Sequence, residues 1–275
     1  MIDPVCLTLF GHPVYWYGVL LAAGFGAGLI HLTWLGRREG RDPAFASDLA
    51  FWLIIGGILG ARAAYVLGNW SEFADQPGQI LRVDKGGLVF YGGFFGAGLA
   101  AWLFARARRE PLLHLLDYTL TALPLGHALG RIGCFINGCC QGSVHTGWLS
   151  CAYPRASAVW WSQVDDGLLS SKAAAALPVW PVQLFEAAGN LAVYLLLFAA
   201  YRRKHSNGAI VALYFLLYAT LRFFLEFLRG DLSGRVVWHG LTSAQWVSLG
   251  LFAAALLLAY ILRLRNRYAQ LNRPA

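Results

Sequence analysis

Seven stretches of this chain each approach the roughly 20 apolar residues that a helix needs to cross a bilayer's hydrocarbon core. They lie at about 14–35, 46–68, 87–105, 112–133, 182–200, 208–228 and 243–262. Inside lipid every backbone polar group must be satisfied within its own segment, so runs of this length are read as helices. The expected fold is therefore an all-α integral membrane protein with seven transmembrane helices. Composition agrees: 58% of residues are apolar and only 13% are charged, against about 25% charged in soluble domains. The 11 Trp and 12 Tyr supply rings suited to headgroup depth.

Basic residues follow alternate spans. Arg37, Arg38 and Arg41 come after the first, Arg106, Arg108 and Arg109 after the third, and Arg202, Arg203 and Lys204 after the fifth. Arg263, Arg265, Arg267 and Arg273 follow the seventh. Positive charge stays on the cytoplasmic side, which sets the N-terminus outside and the C-terminus inside. The net charge of +8 is thereby read as topology, and a nucleic-acid partner is not expected. The chain is expected to be a single transmembrane domain over 1–275, in the bacterial inner (cytoplasmic) membrane. No basic region precedes the first span, so a cleavable signal peptide is not expected. There is no internal repeat of the kind that builds transporters from inverted halves.

The connections at about 69–86, 134–181 and 229–242 are then extracytoplasmic. The segment 134–181, between the fourth and fifth spans, is long and holds Trp148, Trp160, Trp161 and Trp180. It is expected to form a head-like insertion lying partly on the outer membrane surface.

Ionisable residues inside the spans or at their outer ends are few: Arg62, Arg131, Glu186, Arg222, Glu226 and Arg229. Charge at membrane depth is costly and marks function. Arg222, Glu226 and Arg229 stand at i, i+4 and i+7, on one helix face. Four arginines face two glutamates, which leaves positive charge near the outer leaflet. A phosphate is its natural partner, because a guanidinium fork matches phosphate oxygens two at a time.

Two glycine-rich stretches extend this picture. One is Gly130-Arg131-Ile132-Gly133-Cys134-Phe135-Ile136-Asn137-Gly138-Cys139-Cys140-Gln141-Gly142, where backbone can approach a ligand closely. The other runs from Gly86-Gly87 through Tyr91 to Gly92-Gly93. The Tyr91 phenol could bond a substrate oxygen, act as a weak acid–base group, or anchor the interface. Gly56, Gly57 and Gly60 read as helix packing. The five cysteines are Cys6, Cys134, Cys139, Cys140 and Cys151. Those of the motif read as small buried residues, as partners in a disulfide through Cys134, or as soft metal ligands with His127 and His145. The C-x4-C-C spacing matches no standard zinc pattern, so no metal or other cofactor is assigned.

These blocks resemble the bacterial prolipoprotein diacylglyceryl transferase family. The resemblance rests on Tyr15-Trp16-Tyr17-Gly18, Gly60-Ala61-Arg62, Phe90-Tyr91-Gly92-Gly93 and the Gly130–Gly142 signature. It continues through Pro181 to Glu186, Arg222 to Arg229, and Leu241-Thr242 with Gln245-Trp246. It implies an enzyme that moves the diacylglyceryl group of phosphatidylglycerol to the lipobox cysteine in the signal region of a preprolipoprotein. A thioether forms and glycerol phosphate leaves. It implies catalytic roles for Arg131, Arg229 and Tyr91. It implies substrate contacts from Arg131, Tyr17, Arg62, Gly93, Asn137, Gln183, Glu186, Arg222 and Glu226. Tyr91 stands where the family usually has histidine, Cys134 where Asn is usual, and Cys139-Cys140 where a Glu and its neighbour sit. Those departures keep two other readings open: a non-catalytic lipid- or lipoprotein-binding relative, and a transferase with the same donor but another acceptor.

Overall fold

The computed structural model describes residues 3–82, 86–204, 206–231 and 236–271. Arg273, counted with the last basic cluster, lies outside them. The chain opens with a hairpin of β1 (Val5–Leu9) and β2 (His12–Tyr15), paired antiparallel. Then come α1 (Trp16–Arg38), α2 (Phe45–Gly68), the short α3 (Trp70–Phe73), α4 (Phe90–Arg108), α5 (Leu112–Leu120) and α6 (Leu123–Asn137). After the segment that follows α6 come α7 (Ala158–Asp165), α8 (Val182–Tyr201) and α9 (Ala209–Glu226). A small antiparallel pair, β3 (Val236–Trp238) and β4 (Leu241–Thr242), leads into α10 (Ser243–Leu271).

Among the described residues, five helices are long and apolar enough to cross a membrane: α1, α2, α8, α9 and α10. They turn large apolar side chains outward, with Ile30, Leu59, Leu196 and Leu257 between 53% and 73% exposed. Such faces would be unfavourable in water and are natural in lipid. The expected third span is α4, whose apolar character is diluted by Gly92, Gly93, Gly96, Gly98, Arg106 and Arg108. The expected fourth span is corrected: 112–133 is two helices, not one. Pro124 at the start of α6 has no N–H to continue α5, and the chain turns at Thr121-Ala122.

The chain divides into two compact units, Met1–Gly28 with Leu120–Ala275, and Leu29–Thr119. In the second unit α2 packs on α4 through glycine. A Cβ on Gly60 would strike the carbonyl oxygen of Gly92, and one on Gly96 that of Gly56. The glycines expected to serve packing do so, letting two backbones touch. In the same unit Arg41 bonds both Glu39 and Glu110 at 2.8 Å.

In the first unit α6 packs on α8, α8 on α9, and α9 on α10. The segment 134–181 is an ordered subdomain with a core of Tyr153, Val159, Trp160, Ala176 and Val179. Ser157 caps α7 by accepting from the Trp160 N–H. Its tryptophans split: Trp160 is a core residue, whereas Trp148 is 91% exposed. Trp180 stacks on His145 with ring centroids 3.5 Å apart.

Candidate functional site

The site of the first unit gathers where α6 and α9 end and where α8 and α10 begin. Arg131, one turn and a half before the end of α6, reaches Glu186 in the second turn of α8, Nη2 to Oε1 3.1 Å. Glu186 is 1% exposed, and an ionised carboxylate that deep needs a cation beside it. Four residues before Arg131, His127 accepts from Arg131 Nε at 3.2 Å. The same His127 Nε2 lies 3.4 Å from Glu186 Oε1. It serves one neighbour at a time, since an accepting nitrogen cannot also donate.

A second pair lies on α9. Arg222 Nη1 is 2.5 Å from Glu226 Oε2, one helical turn on. Glu226 Oε1 accepts from the Thr242 hydroxyl at 2.8 Å. Thr242 is the N-cap of α10, where its Oγ1 accepts from Gln245 N at 3.3 Å and Gln245 Oε1 accepts from Thr242 N at 3.0 Å. This reciprocal capping box fixes the hydroxyl that Glu226 uses.

The third pair corrects the charge count. α9 stops at Glu226, so Arg229 lies beyond the helix, although its Nε stays 3.9 Å from Glu226 Oε2. Its fork instead grips Asp231, Nε to Oδ1 2.8 Å and Nη2 to Oδ2 2.5 Å. Burial works against charge on Arg229, but the hydrogen bond and charge of Asp231 outweigh it, and its pKa is raised. Among the described residues each arginine of this unit's site therefore has a carboxylate, and the expected surplus of positive charge is not found among them. The Arg229-Gly230-Asp231 sequence was the available signal.

The signature loop is zipped against the chain after α9. Gly230 N donates to Gln141 O at 3.0 Å, Ser143 N to Leu228 O at 2.8 Å, and Gly142 N to Trp180 O at 3.1 Å. A Cβ on Gly142 would run into Trp180, so only glycine fits. Gln183, at the start of α8, donates from Nε2 to Cys139 O at 2.8 Å and to Tyr153 Oη at 3.4 Å. Tyr17, on α1, covers Gly133: a Cβ there would meet Tyr17 Cα at 3.1 Å. Asn137 ends α6, and the Cys139 thiol two residues on donates to Cys134 O at 3.8 Å.

All five cysteines are free thiols, so of the three readings of the motif cysteines the disulfide is not formed. Cys134, Cys139 and Cys140 nonetheless converge, their Sγ atoms lying within 4.8 Å of one another. Hydrogen bonds from the Cys134 and Cys139 thiols, then the Arg131 and Arg229 charges, hold Cys140 below the ordinary thiol range, against the opposing cost of burial.

Along α8, Gln183 Oε1 and Asn190 Oδ1 are buried with no hydrogen-bond partner among the described residues. They stand at i and i+7, on one helix face. A buried acceptor left without a donor costs about 1–3 kcal/mol, so two together mark a face shaped for something other than stability.

Arg62, Tyr91 and Gly93 belong to the second unit. Arg62, expected at the substrate, uses its donors on backbone: Nε on Ile80 O at 2.8 Å, Nη2 on Gln79 O at 2.7 Å, and Nη1 on Gly86 O and Gly87 O at 2.9 and 3.1 Å. Gly86 and Gly87 have φ of 82° and 78°, a region that suits glycine. The Gly86-Gly87 stretch thus cradles a guanidinium. Tyr91 is in the first turn of α4, and Gly93 faces Gly57 and Ala61 of α2.

This arrangement defines a helical membrane protein with a buried network of arginines and carboxylates at the ends of its spans. The chain belongs to the prolipoprotein diacylglyceryl transferase family, whose model matches residues 4–261. It is 31% identical over 257 residues to the phosphatidylglycerol–prolipoprotein diacylglyceryl transferase of Finegoldia magna, covering 93% of this chain and 94% of that one. To the same-named protein of Cupriavidus pinatubonensis it is 34% identical over 260 residues, covering 90% and 86%. To transferase 2 of Clostridium perfringens it is 29% identical over 263 residues, covering 94% and 95%.

Proposed function

We propose that this protein transfers the diacylglyceryl group from phosphatidylglycerol to the lipobox cysteine thiol of a preprolipoprotein. The observation that carries the proposal is the signature Arg131 held on buried Glu186 beside the Arg229–Asp231 fork. In the reaction a sulfur lone pair attacks the glycerol carbon that bears the phosphoester. The C–O bond breaks and its electron pair leaves with glycerol phosphate. Negative charge on that leaving group is what must be stabilised, and guanidinium groups fixed in a dry site do so without reorganising. Because each arginine is already paired, the substrate phosphate takes remaining N–H groups and does not find bare cations. That keeps the empty site affordable in lipid and orients the forks.

The donorless face of Gln183 and Asn190 suits the lipid's glycerol headgroup, whose hydroxyls donate where these atoms accept. Arg62 acts as a scaffold for the backbone at Gln79-Ile80 and Gly86-Gly87, and the Tyr91 phenol as a hydrogen-bond donor to the lipid. Alternating basic clusters support seven spans with the N-terminus outside and residence in the inner membrane, with α4 and the broken α5–α6 pair completing the seven. The exposed Trp148 and Trp161 support an interfacial seat for the subdomain at 134–181, where the signal region of the preprolipoprotein arrives.

The test incubates membranes bearing the protein with labelled phosphatidylglycerol and a lipobox peptide. Label on the peptide cysteine and release of glycerol phosphate are expected. No transfer by well-expressed wild type overturns the proposal, and retained phospholipid without turnover points to a binding protein.

A further inference from the structure

The three signature thiols have no part in the chemistry derived above, yet they are placed together with some care. Gly138 ends α6 at a φ of 70°, and Cys139 N returns to Cys134 O at 3.2 Å. Cys140 then adopts a φ of 59°, a left-handed conformation that costs a residue with a Cβ on the order of 1 kcal/mol. That turn brings the third sulfur within 4.8 Å of the other two. Gln183 pins the loop at Cys139 O and Gly230 pins it at Gln141 O. A zinc ion with sulfurs at about 2.3 Å in a tetrahedron sets them about 3.8 Å apart. The cluster reaches that spacing by side-chain rotation of about an ångström.

We infer that Cys134, Cys139 and Cys140 form a three-thiolate site for a soft divalent metal ion, and that its open fourth position takes the acceptor thiol. The inference rests on the transferase reading. Among the described residues no fourth histidine, cysteine or carboxylate joins the cluster. Three protein ligands and an open position are the pattern of a metal that exchanges ligands. Thiolate donors select zinc-class or cuprous ions.

The chemistry balances without an oxidant. The acceptor thiol binds as thiolate and gives its proton to water, since a coordinating thiol is deprotonated outright. Its sulfur then forms the C–S bond as the C–O bond to phosphate breaks, and the thioether, a poorer ligand, leaves the metal. The metal keeps its charge throughout. This supplies the nucleophile without calling on Tyr91 as a base.

The full-length reduced protein in detergent is titrated with Co2+ as the probe. Expected is one ion per chain with sulfur-to-metal charge-transfer absorption, displaced by Zn2+. Cys134→Ser and Cys139→Ser should lose it, and Cys6→Ser should keep it. Cys140→Gly should also lose it while folding at least as well as wild type, because glycine accepts that φ. A lipobox peptide should shift the Co2+ spectrum, and the same peptide with serine for its cysteine should not. Chelation should remove transfer and Zn2+ restore it, with phosphatidylglycerol binding unchanged throughout. Failure of Co2+ to bind, binding that survives the cysteine variants, a spectrum blind to the peptide thiol, or transfer undiminished in metal-free protein each overturns the inference. The last of these leaves the transferase reading intact, whereas absence of transfer in every metal state counts against that reading alone.

Discussion

The Thr242 hydroxyl donates a 2.8 Å hydrogen bond to Glu226 Oε1, and through it the first residue before α10 holds the carboxylate that pairs Arg222 on α9. One side chain thus caps a helix and satisfies a buried anion. Helix α10 is seated at the site by chemistry, not only by apolar packing.

Thr242→Val keeps the side-chain shape and removes both functions. Loss of the cap costs about 1 kcal/mol and an unsatisfied buried acceptor about 1–3 kcal/mol. A drop of about 2 kcal/mol or more in denaturant unfolding is expected, together with weaker transfer. Thr242→Ser should restore both, because it retains the hydroxyl.

Arg229→Lys tests the fork. Lysine keeps the charge, but its single ammonium cannot span both oxygens of Asp231 and still offer donors to a phosphate. One charge-assisted hydrogen bond is worth about 1.5–3 kcal/mol, so transfer should fall roughly 10- to 100-fold. The fall should be read in kcat/KM for phosphatidylglycerol. An activity equal to wild type would show that position 229 acts as a charge alone.

Much of this was legible in the sequence because the membrane makes strict demands. Length and hydropathy gave α1, α2, α8, α9 and α10, and the small residues Gly56 and Gly60 read correctly as close packing against α4. The charged residues of the first unit do meet. What failed was chain direction and partner choice. The periodic count carried α9 through to Arg229, but the helix ends at Glu226 and Gly230 turns the fork towards Asp231. The 112–133 run has the length of a span, and Pro124 breaks it. Arg62 reads as a substrate contact from its place at a span end and from the Gly60-Ala61-Arg62 block. Its carbonyl partners come from a loop 17 to 25 residues away, a relation that no local pattern carries. Backbone acceptors have no residue signature.

Arg131 and Glu186 separate stability from catalysis. Either Arg131→Met or Glu186→Leu alone leaves a buried charge without its partner, at a cost of about 3–5 kcal/mol. The double variant removes both charges and should recover most of the thermal stability. Transfer should be absent in all three. Transfer recovered together with stability would show that the pair is structural.

Asn190→Leu turns the same reasoning on the donorless face of α8. Asn190 is fully buried, and its Nδ2 bonds Glu186 O within its own helix at 2.8 Å, while Oδ1 has no donor among the described residues. A leucine of similar size loses little, because that carbonyl already lies in the helical ladder. It also removes an acceptor that costs about 1–3 kcal/mol to bury. Thermal unfolding should therefore stay level or move upward. If the face receives the lipid's hydroxyls, KM for phosphatidylglycerol should rise in the same variant, since the hydroxyl then enters a pocket with no acceptor for it. A residue serving only the fold would show neither the gain nor the rise. A rise in KM without loss of stability distinguishes a face kept for its substrate from one kept for packing.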